Sequence, residues 1–142
     1  KTITRYYEDR TIYFIREFYM SGKFKKETIY NEDGSLDSIL EFDQLGRMVR
    51  TDSYENNELH MYYIVQEHDS QGREIKTNCY SPDGVFVFYY TTEYKGDSEI
   101  DCVNNYYKAD GKIFSSAEYE NGELVETSSY DEDGILIETI TY

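Results

Sequence analysis

The chain has 142 residues, the size of one domain spanning residues 1–142, and carries 29 acidic against 14 basic side chains for a formal charge of −15. That charge repels nucleic acid and anionic membranes, and no apolar run approaches the ~20 residues that cross a bilayer as a helix. With 17 Tyr, 7 Phe, no Trp and one Pro, the chain is too aromatic for simple disorder and favours strands, while a hydrophobic share of 39% leaves little for a thick core.

The repeating elements begin at Gly22. Phe24 and Tyr30, Leu36 and Phe42, and Met48 and Tyr54 are pairs set six residues apart, each following a turn glycine or leading to the next turn. The run YNEDGSL, from Tyr30 to Leu36, shows the unit: an aromatic, polar turn residues, Gly, then an apolar residue two positions on. Asx side chains cap such turns and Gly supplies the positive φ, so each reads as a hairpin. All nine glycines stand on this ladder, at 22, 34, 46, 72, 84, 96, 111, 122 and 134, in steps of 12, 12, 26, 12, 12, 15, 11 and 12. Asn57 divides the step of 26 into 11 and 15, and Asn is the best substitute for Gly at a left-handed position.

Further along, MYYIV at 61–65 and VFVFYY at 85–90 are apolar on both faces. They predict central strands covered on two sides. Tyr107 to Ile113, Tyr119 to Leu124 and Tyr130 to Leu136 then repeat the turn unit to the end. The even period of 12 predicts that the apolar residue after each Gly and the aromatic six positions later share a face. Mid-strand Lys26, Arg50, Asp52 and Glu126 argue against a thick core. The expected fold is all-β: an antiparallel meander of roughly eleven or twelve strands, built from tandem ~12-residue hairpin repeats, in a thin, twisted or solenoid-like sheet. The steps of 15 predict that every third strand is about three residues longer, with a supertwist or a bulge as the consequence.

No catalytic constellation emerges, and the reading is non-enzymatic. His60 and His68, eight residues apart, share a face by parity and could serve a metal or acid–base role; His68 equally fills the place of a turn aromatic. Cys79 and Cys102 could form one bridge or stand as two thiols in a reducing compartment. Calcium loops fail at the turns, because taking Gly134 as the loop glycine puts Ile140 where a Glu is needed. No metal or cofactor is expected. The chain opens on no secretory leader, and the expected compartment is the cytoplasm.

In a strict meander the turns alternate between the two ends of the sheet. One end, with the turns at Gly22, Gly46, Gly72, Gly96 and Gly122, carries five acids and four bases. The other carries nine acids, Glu32, Asp33, Glu55, Glu58, Asp83, Asp110, Asp131, Glu132 and Asp133, against Lys108 and Lys112. Those nine are the candidate partner-binding residues, and the partner they fit is a basic protein.

The recurring Tyr-Asp-x-x-Gly-x-Leu pattern resembles the YD repeats of bacterial Rhs-type proteins. Tandem steps such as YENGELVETSSYDEDGIL are similar to the MORN-variant repeats of a bacterial antitoxin family. The resemblance runs from about Tyr19 to Tyr142 and implies an immunity protein or antitoxin that binds a basic toxin domain, such as a nuclease. It implies no catalytic residue. The expected state without partner is a monomer. A surface module binding glycan or another cell, and a structural segment of a larger repeat protein, are the alternatives; exposed terminal strands would favour the latter.

Overall fold

The computed structural model describes residues 1–142 and contains twelve strands and no helix. They are β1 (Thr2–Tyr6), β2 (Ile12–Phe18), β3 (Phe24–Tyr30), β4 (Leu36–Phe42), β5 (Met48–Glu55), β6 (Glu58–His68), β7 (Glu74–Tyr80), β8 (Phe86–Tyr94), β9 (Cys102–Lys108), β10 (Ile113–Glu120), β11 (Glu123–Tyr130) and β12 (Leu136–Thr141). The sheet order is the chain order, β1 through β12, with no strand skipped. This is the antiparallel meander that the glycine ladder predicts. No helix is long and apolar enough to cross a membrane. Contacts gather into two compact units, residues 1–65 with 80–85, and residues 66–79 with 86–142.

The turns explain the ladder. In most of them the residue three before the glycine accepts the glycine N–H and donates its own N–H to the carbonyl just past the glycine: Gly34 to Asn31 at 2.9 Å and Asn31 to Ser35 at 2.9 Å. Asp43, Asp69 and Asp131 add their carboxylates as caps, each accepting two further backbone N–H groups. Two turns are tighter. Asn56 and Asn57, and Asn121 and Gly122, have φ between 52° and 78° and close two-residue hairpins, the geometry for which Asn and Gly are selected. A turn the ladder does not reveal joins β1 to β2. There Arg10 occupies the glycine position at φ 74°, with its N–H on Tyr7 O at 3.1 Å.

One regularity overturns the parity argument. In eight hairpins the aromatic before the turn pairs with the apolar residue after it, as in Phe18 with Phe24, Tyr30 with Leu36 and Phe42 with Met48. The next residue is then skipped: Glu17 pairs with Lys26, leaving Lys25 as a bulge. A bulge adds one residue and flips the alternation beyond it. Arg16 shows the result. It pairs with Glu27 and bonds it at 2.6 Å, while its guanidinium lies 4.2 Å from the Phe14 ring and 5.4 Å from the Phe24 ring. Phe24 therefore shares the face of Glu27 and Ile29, and Tyr30 takes the other. Met48 behaves alike, its sulfur accepting the Thr51 hydroxyl at 3.4 Å.

The same bulge falls at His60, between Leu59 and Met61. His60 lies 3.7 Å from Glu55. The two steps of 15 also differ in kind. The first lengthens β6 to 11 residues, whereas the second is a loop in which Lys95 N–H meets Asp101 O at 2.8 Å, and β9 keeps 7 residues.

Only six residues are buried: Phe14, Thr77, Cys79, Thr92, Ala117 and Ser128. A single layer accounts for this, since each face of the sheet has only its own side chains to cover it. Of the segments expected to be covered on two sides, residues 61–65 are half-buried, while Val85 and Val87 in 85–90 are exposed. In the second unit one face gathers Tyr90, Tyr106, Phe88 and Phe114, with ring centroids 5.7–6.4 Å apart. No disulfide joins Cys79 to Cys102.

Candidate protein-binding surface

In the first unit the turns at residues 8–10, 32–34, 56–57 and 82–84 share one end. Three of them are stitched side by side. Tyr7 Oη donates to Tyr30 O at 2.9 Å, and Thr11 Oγ1 reaches Glu32 O at 3.4 Å. Leu36 N–H donates to Asn57 Oδ1 at 2.7 Å. This end carries seven acids, Glu8, Asp9, Glu32, Asp33, Glu55, Glu58 and Asp83, and one base, Arg10. The opposite end of the same unit carries Asp43 with Lys23 and Arg47. Charge is thus segregated within this unit. Sequence reasoning missed Glu8 and Asp9 because Arg10 hides their turn.

The second unit holds the remaining four predicted residues, Asp110, Asp131, Glu132 and Asp133. There the predicted end, with Lys108 and Lys112, is no more acidic than the other. The loop after β8 runs on to Asp101, so Glu99 and Asp101 join Asp69, Asp97, Glu120 and Glu123 at the other end, against Arg73 and Lys95. Closing that turn at Gly96, as the ladder suggests, omits both. Lys95 is itself engaged by Glu118 at 2.5 Å and Glu120 at 3.0 Å, and those hydrogen bonds raise its pKa.

The acids divide by duty. Asp33 accepts the Ser35 hydroxyl at 2.5 Å and the Ser35 N–H at 2.9 Å, and these bonds hold its carboxyl below the usual range. Asp9 does the same with Thr11. Asp131 is lowered by backbone N–H groups, that of Ile135 first. Asp83 accepts the Ser81 hydroxyl at 2.5 Å, Asp110 the Lys112 N–H at 3.0 Å, and Asp133 pairs with Lys112 at 3.4 Å. These groups shape turns. The carboxylates of Glu8, Glu32, Glu58 and Glu132 make no such bond and stand exposed in solvent.

A cleft of about 300 Å³ opens between the first and third turns, lined by Tyr7, Glu8, Asp9 and Glu32. Burial, then the neighbouring Tyr13 and Glu32, raises the Tyr7 phenol, whose hydroxyl donates to Tyr30 O. Three carboxylates around an aromatic ring suit a guanidinium or ammonium. No group of three or more His, Cys, Asp and Glu is placed to hold a metal ion.

A family described as a protein of unknown function (DUF2963) matches residues 6–52, from the end of β1 through most of β5. That stretch covers the first four turns of the chain, including the cleft. No curated protein matches the chain.

Proposed function

We propose that the protein is a non-enzymatic binding module for a basic protein, docking it on the acidic end of the first unit. The carrying observation is the segregation of seven acids and one base at that end, around a cleft lined by Tyr7, Glu8, Asp9 and Glu32. Random solvation would charge both ends alike. The exposed carboxylates steer the partner, and a Lys or Arg of the partner enters the cleft. The antitoxin-like repeat pattern makes a toxin domain the partner class, with carboxylates standing where a nuclease would hold phosphates.

The test is retention of partners from source cells at low and high salt by the wild type and by E8Q/E32Q/E58Q. The amides keep shape and remove charge. Retention of a basic, toxin-sized protein that weakens in the variant, and whose salt dependence flattens, supports the reading. Equal retention by both proteins removes this surface. A second reading, a structural element of a larger repeat assembly, has the exposed apolar side chains of the terminal strands on its side: Tyr6, Leu136, Ile137 and Ile140.

A further inference from the structure

The rings of Phe88, Tyr90, Tyr106 and Phe114 cover one face of the second unit. Successive strand residues alternate, so Tyr89 and Tyr107 stand on the other face. These two pair across β8 and β9 and stack, with centroids 4.8 Å apart and 10° between the ring planes. A cleft of about 520 Å³ opens beside Tyr89, a volume within the range of small-molecule sites. Every residue that lines it belongs to the second unit.

The lining is of two kinds. Phe86 and Tyr89 bring half-buried rings. Tyr89 is held from several sides: Tyr107 stacks on it, and Lys76 Nζ lies 5.7 Å or less away, at 5.5 Å from its centroid. The turn after β9 closes on its hydroxyl, where a Cβ added to Gly111 would lie 3.9 Å from Tyr89 Oη. The other kind is polar. Gln66 and Asn78 bring side-chain amides, each with donors and an acceptor. Glu67 and Lys76 meet at 3.7 Å, and Asp110 accepts the Lys112 N–H at 3.0 Å.

We propose that this cleft binds a neutral sugar: the C–H face of a pyranose packs on Phe86 and Tyr89, and its hydroxyls exchange hydrogen bonds with Gln66 and Asn78. The charges decide against other ligands. The cleft holds one base against two acids, and that base already has Glu67 as its counter-ion. A phosphate or carboxylate would meet a site of net negative charge. A Lys or Arg side chain would have to displace Lys76 from Glu67. A wholly apolar ligand would take water from two amides and an ion pair and return no hydrogen bond, which is costly. A sugar has the same two kinds of surface as the cleft. Its C–H groups suit the electron-rich face of an aromatic ring, and its hydroxyls both donate and accept, as amides do. The stack of Tyr89 on Tyr107 is in place before any ligand arrives, so binding orders few side chains.

Amide NMR of the whole chain tests the site, with cellobiose, maltose and N,N′-diacetylchitobiose each titrated into the millimolar range. Expected are saturable shifts with at least one of them, centred on the Asn78 side-chain amide and the backbone of residues 109–111. Glycerol and glucuronic acid at the same concentrations should leave those signals in place. Asn78→Ala should weaken binding about fivefold, the scale of one neutral hydrogen bond. Ala109→Arg places a long side chain in the cleft from an exposed turn position, so binding should be lost while circular dichroism stays unchanged. The proposal is overturned if none of the three sugars binds, if the shifts centre outside the cleft, or if either variant binds as the wild type does. Equal shifts from glycerol would overturn it as well, and equal binding of glucuronic acid would overturn the assignment to a neutral sugar. The site is independent of the acidic end of the first unit, and none of these outcomes bears on the capture of a basic protein there.

Discussion

Removing one hydroxyl, in Tyr90→Phe, should cost the second unit about 2 kcal/mol. Tyr90 donates a short hydrogen bond to Glu74 Oε1, an oxygen that also accepts the Thr77 hydroxyl at 2.7 Å. Thr77 is 1% exposed and Tyr94 Oη ties the Glu74 carbonyl at 3.0 Å, so the site sits in the drier part of this face. A hydrogen bond to a charged group contributes about 1.5–3 kcal/mol, and the ring remains to fill its place beside Tyr106. At roughly 2–4 °C per kcal/mol for a chain of this size, the melting point should fall by about 4–8 °C. Urea denaturation followed by far-ultraviolet circular dichroism measures it. Glu74→Gln completes a double-mutant cycle, with a coupling of about 1–2 kcal/mol expected between the two positions. A loss below about 0.5 kcal/mol, or strict additivity, would show that the carboxylate finds water instead and that this network does not hold the unit.

Arg10→Gly should stabilise the protein by roughly 0.5–1 kcal/mol: a left-handed residue with a Cβ costs about 1–2 kcal/mol, part of which the unfolded-state freedom of Gly offsets, and a higher urea midpoint at unchanged slope reports it. Tyr19→Phe should cost about 1 kcal/mol, because Tyr19 Oη donates to Phe42 O at 2.8 Å across two turns; an unchanged midpoint would show that water replaces the bond. Burial first, with Glu74 next for Tyr90 and Tyr94, raises the phenols of Tyr90, Tyr94 and Tyr106 above the usual 10.0. Their folded pKa exceeds the unfolded one, so this stability is complete below pH 10.0 and is lost as pH rises through the folded values. Of the 17 tyrosines these three should ionise last and together with the loss of circular dichroism, and a tyrosinate absorbance that reaches its full value while circular dichroism is unchanged would contradict the burial argument.

The strands and turns were legible because each rests on local chemistry. Asp or Asn before Gly closes a hairpin wherever it occurs, and Asn57 stands in for Gly as its φ of 63° requires. What was hidden depends on pairing. A bulge leaves no mark in the spacing: Phe24 and Tyr30 are six apart whether or not Lys25 is skipped, and only the partner strand decides. The turn at Arg10 was invisible for the opposite reason, since an unfavourable residue is held there by its neighbours. The 15-residue steps were ambiguous because a longer strand and a longer loop consume the same number of residues. For the surface, the acidic identity of the turns was readable, but its concentration in the first unit depends on where the loop after β8 closes.

The bulge also gives the acidic end its second component. Within the first unit, each hairpin sets its aromatic and apolar partners on one face, and the flip beyond the bulge sends the next hairpin's pair to the other. Pairs at a given end therefore share a face. Phe18, Phe24, Phe42 and Met48 gather at the end that carries Lys23 and Arg47, where Phe24 lies 5.2 Å from Phe18 and 5.7 Å from Phe42. Arg5 lies over Phe14 at 5.9 Å, on that same face, so Tyr6 is on the opposite one with Tyr30 and Tyr54. Those three tyrosines line the acidic end. Carboxylates that steer a basic partner stand directly beside a row of tyrosines that can anchor it, and Tyr is among the residues that concentrate binding energy at interfaces. A repeat without the bulge would set the aromatics of both ends on one face, whereas the bulge gives the tyrosines of the acidic end the face opposite Phe18, Phe24 and Phe42.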